Sequence, residues 1–228
     1  MNETLQPQSS SLELFELVEA NAGPALALCC PQLRQPSSTT GSAVFEGTIQ
    51  HSVKLSYDDL LARARALRHV LTPLLDFACC TETPLVLLCM TRTPGLVIGL
   101  LSVLACGAAY VPIDPDHPVK HQRLIAIQSH ASVALVSASA PCEAEDVSAA
   151  AFLTQTRAAE LNEDNNDDLG PYVRWVIRLD EVGHVVAVDA RPLPPPPPVP
   201  SSGVPSGLAY VMFTSGSTGL PKGVLVGL

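Results

Sequence analysis

Basic residues are scarce in this chain. Thirteen Lys and Arg stand against 22 Asp and Glu, for a formal net charge of −9. That balance excludes the basic stripe a nucleic-acid partner requires. It does not exclude a nucleotide, because one local lysine and a few backbone amides outweigh a distant negative field. Aromatics make up only 4% of the residues. Cys-x-x-Cys spacing is absent. The seven cysteines (Cys29, Cys30, Cys79, Cys80, Cys89, Cys106, Cys142) are odd in number and several lie in apolar runs. They read as free core thiols, not as a zinc site or a disulfide framework. His117 and His121 have the i,i+4 spacing of two ligands on one helix face. No third ligand is near in sequence and Pro118 intervenes, so they read as a solvated helix start and no metal site is assigned. Residues 1–11 lack the basic patch and apolar run of a secretory leader, so a disordered N-terminus and a cytoplasmic location are expected. Gly95 to Ile113 runs 19 residues without a charge, close to a bilayer span. Gly107, Tyr110 and Pro112 cut it, and a buried helix followed by a buried strand is expected instead of a membrane segment.

What is present is enough apolar residue, 47% of 228, for one large core. Leu12 to Ala20 reads as a first helix. Ala25 to Cys30 reads as a short strand. Ser56 caps a helix with Asp58 and Asp59 near its positive end. Leu60, Leu61, Ala64, Leu67, Leu71 and Leu74 recur along that helix at helical spacing, up to about Thr72-Pro73. Pro84 to Met90 is a buried strand by its continuous apolarity. Pro94 suits the first turn of the next helix, and Gly107 ends it. Ala109 to Ile113 is a strand, Pro118 to Ser129 a helix and Ser132 to Val136 a strand. This alternation predicts an α/β fold, a mostly parallel sheet with helices on both faces. Residues 137–170 turn Ala/Ser-rich and then acidic, and are expected to form a mobile insertion. Tyr172 to Asp180 returns as an alternating strand. Residues 190–207 form a proline-rich linker of polyproline II character. Within it Arg191, Pro194 and Pro197 match a basic-x-x-Pro-x-x-Pro docking string, although a spacer is the simpler reading.

The chemistry concentrates in Leu208-Ala-Tyr-Val-Met-Phe-Thr-Ser-Gly-Ser-Thr-Gly-Leu-Pro-Lys-Gly223. A strand feeds a loop of hydroxyls and glycines that closes on Pro221-Lys222-Gly223. Gly216 and Gly219 let the backbone turn with its amides exposed, and successive N–H groups make a concave anion site. Thr214, Ser215, Ser217 and Thr218 add hydroxyl donors. Lys222 adds a positive charge within reach of a phosphate oxygen. The spacing is not that of a Walker loop, since Leu220 and Pro221 separate Gly219 from the lysine.

This loop resembles the phosphate loop of the adenylate-forming superfamily of acyl-CoA synthetases, luciferases and peptide-synthetase adenylation domains. Two further stretches are similar to family signatures: Leu104-Ala-Cys-Gly-Ala-Ala-Tyr-Val-Pro-Ile-Asp-Pro115 and Leu55-Ser-Tyr-Asp-Asp-Leu60. The three occur in the family's order, and the first of these two leans toward amino-acid activation. The resemblance implies that residues 12–228 are the incomplete N-terminal part of an adenylation domain of the non-ribosomal peptide synthetase type. It implies ATP and Mg²⁺ as cofactors and a small carboxylic acid, an amino acid by that lean, as substrate. The acid attacks the α-phosphorus of ATP, pyrophosphate leaves, and the acyl-adenylate passes to a phosphopantetheine thiol on a carrier. Thr214, Ser215, Gly216, Ser217, Thr218, Gly219, Lys222 and Gly223 would line the pyrophosphate side. The family's adenine, ribose and magnesium motifs and its catalytic lysine follow the phosphate loop, and only five residues follow Gly223 here. The family pattern reaches a histidine near position 228, where this chain has Gly227-Leu228. No catalytic residue is therefore assigned. Two readings stay open: an N-terminal piece of an adenylating ligase, or a non-enzymatic phosphate- or partner-binding module with a polyproline docking segment.

Overall fold

The computed structural model describes residues 11–20, 22–32, 51–78, 83–138, 173–190, 207–215 and 221–227. The segments expected to be disordered, inserted or proline-rich (1–11, 137–170 and 190–207) fall almost entirely outside these residues.

A seven-stranded sheet organises the rest, in the order β7-β6-β5-β3-β4-β8-β9. Its centre is β3 (Leu85–Cys89), flanked in parallel by β4 (Ala109–Ile113) and β5 (Val133–Ser137). β6 (Trp175–Leu179) continues in parallel beyond β5, and β8 (Leu208–Ser215) in parallel beyond β4. The two outer strands, β7 (Val185–Ala190) and β9 (Pro221–Gly227), run antiparallel to their neighbours. A separate antiparallel pair joins β1 (Leu26–Gln32) to β2 (His51–Ser56).

Period-two alternation divides the core between the two faces. Val86, Leu88, Val133, Leu135, Ile177 and Leu179 pack with Leu67, Leu71 and Leu75 of α2 (Tyr57–Ala78) and Ile98 and Val103 of α3 (Pro94–Ala105). Leu87, Cys89, Val111, Ala134, Val136 and Val176 pack on the other face with Ile125 and Ala126 of α4 (Val119–Ser129). Helices thus cover both faces, as the alternation predicts. α1 (Ser11–Ala20) lies outside α2 and α3, where Phe15 is buried against Leu61, Ala64 and Ala105, and Glu19 pairs with Arg65.

Helix ends follow local chemistry. The Ser56 hydroxyl accepts from the Asp59 N–H at 3.1 Å and donates to the Asp59 carboxylate at 2.8 Å. The Ser56 N–H reaches the same carboxylate at 3.4 Å, which completes a reciprocal cap. The Ser56 hydroxyl, followed by its N–H, holds the Asp59 carboxyl below the ordinary 3.8. Pro94 occupies the first turn of α3. At the far end Gly107, with φ 69°, sends its N–H to Leu104 O at 2.9 Å, and the Ala108 N–H reaches Val103 O at 3.2 Å. This is the double-bonded left-handed helix stop that favours glycine. The apolar stretch 95–113 is therefore a helix and a strand, and among the described residues no helix is long and apolar enough to cross a membrane.

Two expectations need correction. α2 does not stop at Thr72-Pro73 but continues through Pro73 to Ala78. An interior proline costs about 3 kcal/mol, but burial of Leu71 and Leu75 on either side stabilises by about 1.5–3 kcal/mol each, and both are nearly inaccessible. Tyr172 to Asp180 does supply a strand, β6, but its burial is not a clean alternation, because β6 lies within the sheet and contributes to both cores.

Candidate phosphate site at the β8–β9 hairpin

Strand β8 enters the sheet beside β4, with Tyr210 level with Tyr110. Their rings stack, with centroids 5.3 Å apart and planes at 19°. Burial, and then the neighbouring Tyr210, pushes the Tyr110 phenol above its ordinary 10.0. β8 ends at Thr214-Ser215, and β9 opens at Pro221-Lys222-Gly223. The antiparallel register sets Ser215 opposite Pro221, Thr214 opposite Lys222 and Phe213 opposite Gly223. The two arms of the expected phosphate loop are thus held side by side at the C-terminal end of a parallel strand, where α/β sheets place their ligands. Gly216, Ser217, Thr218 and Gly219 lie outside the described residues.

Four described residues of the loop have a definable part. The Thr214 hydroxyl donates a long bond, 3.5 Å, to the Lys222 carbonyl, and its side chain is exposed. Lys222 is exposed, and its ammonium makes no ion pair among the described residues. Pro221 is buried and anchors the start of β9. Gly223 has a packing reason to be glycine. A Cβ there would stand 3.3 Å from Phe213 Cζ and from Val211 Cγ1, so the absent side chain makes room for the Phe213 ring. Donors and one cation dominate this end. No carboxylate lies in 213–223, so the hairpin suits an anion such as a nucleotide's phosphates. Among the described residues no group of three His, Cys, Asp or Glu is arranged to hold a metal. The His117 and His121 rings meet edge to face at 5.3 Å.

The neighbouring strand end is shaped by a residue that sequence reasoning passes over. Asp114-Pro115 follows β4, and Gln122 of α4 is wholly buried beneath it. The Gln122 amide donates to the carbonyls of Asp114, Pro115 and His117 at 3.3, 3.1 and 2.6 Å, while its Oε1 has no partner among the described residues. One side chain therefore pins the whole turn. A glutamine at a helix position carries no sequence signal for this, since it reads equally well as solvent-facing.

The family model described as AMP-binding enzyme matches residues 34–227. The chain belongs to the AMP-binding enzyme family. A linear gramicidin synthase of Brevibacillus parabrevis is 38% identical to this AMP-binding chain over 215 residues, 93% of the chain and 2% of that protein. Tyrocidine synthase 3 of the same organism is 28% identical over 226 residues, 99% of the chain and 3% of the synthase. Among solved structures, the inhibitor-bound N-terminal domain of FACL13 from Mycobacterium tuberculosis superposes with a TM-score of 0.57 at 19% identity, covering 96% of this chain and 44% of that one. The NpsA N-terminal subdomain of Klebsiella oxytoca gives 0.54 at 17% identity, covering 97% and 43%. The chain thus spans a few per cent of the length of the synthetases it matches, and less than half of either solved domain. The fold is that of the N-terminal part of an adenylate-forming enzyme.

Proposed function

We propose that this chain is the N-terminal part of an ATP-dependent amino-acid-adenylating ligase, and that residues 214–223 hold the pyrophosphate side of ATP. The observation that carries the reading is the β8–β9 register, which sets Thr214 beside Lys222 at the mouth of a loop otherwise made of glycine and hydroxyl residues. ATP would supply the electrophilic α-phosphorus and the leaving group. The chain's part is to orient and neutralise the phosphates through the Lys222 ammonium, the hydroxyls of Thr214, Ser215, Ser217 and Thr218, and the amides around Gly216 and Gly219. Magnesium would find no carboxylate within the hairpin, so in this reading its protein ligands lie elsewhere. The amino-acid preference is supported by the Ala-Tyr-Val-Pro-Ile-Asp-Pro string at 109–115 and by the likeness to peptide synthetases. Delivery to a carrier thiol is supported by a related fold in an artificially fused adenylation–PCP di-domain from Klebsiella oxytoca.

Titration calorimetry with MgATP and with pyrophosphate tests the site. Lys222→Ala removes the only cation of the hairpin and is expected to weaken binding about tenfold or more, the scale of a lost charge-assisted contact of about 1.5–3 kcal/mol. Equal affinity of the variant and the unaltered chain would overturn the assignment.

A further inference from the structure

Gln122 is an odd residue to bury. It is the fourth residue of α4, it is wholly inaccessible, and its Oε1 has no partner among the described residues. A methionine would fill the same space without stranding an acceptor, and an enclosed acceptor without a partner is costly. The amide is therefore kept for its donors. These go to the Asp114, Pro115 and His117 carbonyls. The turn also has bonds of its own. The Asp114 carboxylate accepts from the Asp116 N–H at 2.9 Å, and the Asp114 carbonyl accepts from the His117 N–H at 3.2 Å. Those internal bonds shape the turn, and Gln122 fastens it to the helix.

The turn and the β8–β9 hairpin share that helix. Four residues on from the paired Tyr110 and Tyr210, β4 has given way to the Asp114-Pro115 turn and β8 has reached Thr214. Ile125 and Ala126, one helical turn after Gln122, share a core with Val211 of β8, and Phe213 packs against that core. Phe213 also fills the space over Gly223, its partner across the hairpin and the residue next to Lys222. A continuous path of packed side chains thus runs from Gln122 through α4 to the strand that carries the lysine. We propose that Gln122 is a positioning residue of the phosphate site. By clamping the turn after β4 to the first turn of α4, it sets where α4 stands against β8 and so how Thr214 and Lys222 are presented. The role rests on the assignment of residues 214–223 to phosphate binding. Gln122 lies too deep to touch a phosphate and acts through α4.

Two substitutions of similar volume separate the donors from the packing. Gln122→Met keeps the bulk and loses both N–H donors. Gln122→Glu keeps one donor for as long as its buried carboxyl stays neutral. Calorimetry of the whole chain with pyrophosphate, beside thermal melting, reads the effect. Gln122→Met is expected to stay folded and to weaken pyrophosphate binding about three- to thirtyfold, the range of coupling through packed networks. Gln122→Glu, compared with the unaltered chain at each pH, is expected to bind better than the methionine variant at low pH and to lose that advantage as the carboxyl ionises. A methionine variant that binds as tightly as the unaltered chain overturns the proposal, whatever its melting temperature. If Gln122→Met does not fold, the glutamate variant decides, and an affinity ratio that does not change with pH overturns the proposal. Hydrogen exchange without ligand keeps the two assignments apart. Gln122→Met should speed exchange across 208–215 and 221–227 and leave β5 and β6 protected. An unaltered chain that binds no pyrophosphate would sink the phosphate reading. Faster hairpin exchange in the variant would then still support the clamp, and unchanged exchange would overturn it.

Discussion

Three glycines at the α3 ends and the β6–β7 turn separate two physical costs that are normally confounded. Gly107 has φ 69° and open space where a Cβ would go. Gly95 has no unusual φ, but its Cβ would stand 2.6 Å from the Asp180 carbonyl oxygen. Gly183 has both problems, with φ 83° and a Cβ 2.5 Å from Ile98 Cδ1 and 3.0 Å from Ile98 Cβ. Alanine at 107 therefore costs only left-handed strain, less the loss of unfolded-state freedom, for a net of about 1 kcal/mol. Alanine at 95 costs only overpacking, about 1–3 kcal/mol. Its obstacle is backbone, and the 2.9 Å bond from the Gly95 N–H to Glu181 O is at stake as well. Alanine at 183 combines strain and clash, about 3–4 kcal/mol, because Ile98 is wholly buried and has nowhere to turn. Urea unfolding of the three variants reads these values directly. The decisive control is Ile98→Ala, which removes the nearest offending atom. In that background the 2.5 Å contact is gone, and only the 3.0 Å approach to Cβ, which alanine keeps, adds to the strain. Gly183→Ala should then cost less than in the unaltered chain, with a coupling energy of about 0.5–2 kcal/mol between the two sites. An additive cycle, or equal costs at 107 and 183, refutes the reasoning.

Other consequences are open to measurement. Asp59 and Asp180 both have carboxyl groups held below the ordinary 3.8. At Asp59 the cause is the Ser56 cap. At Asp180 burial pulls upward but is outweighed by bonds from the His184 N–H and ring and the Val182 N–H. Their contribution is present above pH 3.8 and is lost as pH falls through the depressed values, so the urea midpoint should drop below about pH 4. Ser56→Ala should shrink that drop, and an unchanged acid profile would count against the cap. Burial, with a smaller push from Asp114, raises the Cys89 thiol to about 12, whereas Cys29 is exposed. Iodoacetamide at mildly alkaline pH should therefore label Cys29 in the native chain and Cys89 only on unfolding, as read by peptide mass mapping. Early labelling of Cys89 would contradict the packing.

Much of the central sheet was legible because its signals are local. The apolar run 84–90, the proline at 94 and the glycine at 107 each fix a boundary by conformational restriction alone, and the structure places β3, α3 and its stop accordingly. Elements sustained by distant partners were not legible. β7 buries almost none of its side chains and exists because β6 pairs with it. His51 to Ser56 becomes a strand only against β1. α2 outlasts its proline through packing that a propensity argument cannot see. At the candidate site, the strand before the loop and the lysine after it were readable from composition and spacing. Gly223 instead revealed a packing role through Phe213, and the Gln122 clamp had no signature because its value lies in three carbonyls of the turn before its helix.

The β5-to-β6 crossover is fastened at both ends. The Ala138 N–H bonds to Leu179 O at 2.7 Å, and the Arg174 N–H to Ser132 O at 2.7 Å. With departure and return points locked into one ladder, the pairing of β5 with β6 is held by bonds of its own. For a loop, each doubling of length adds only about 0.6 kcal/mol of closure entropy. A short reporter peptide inserted between 139 and 172 is therefore expected to leave the urea midpoint nearly unchanged, with this doubly fastened pair acting as an expansion joint.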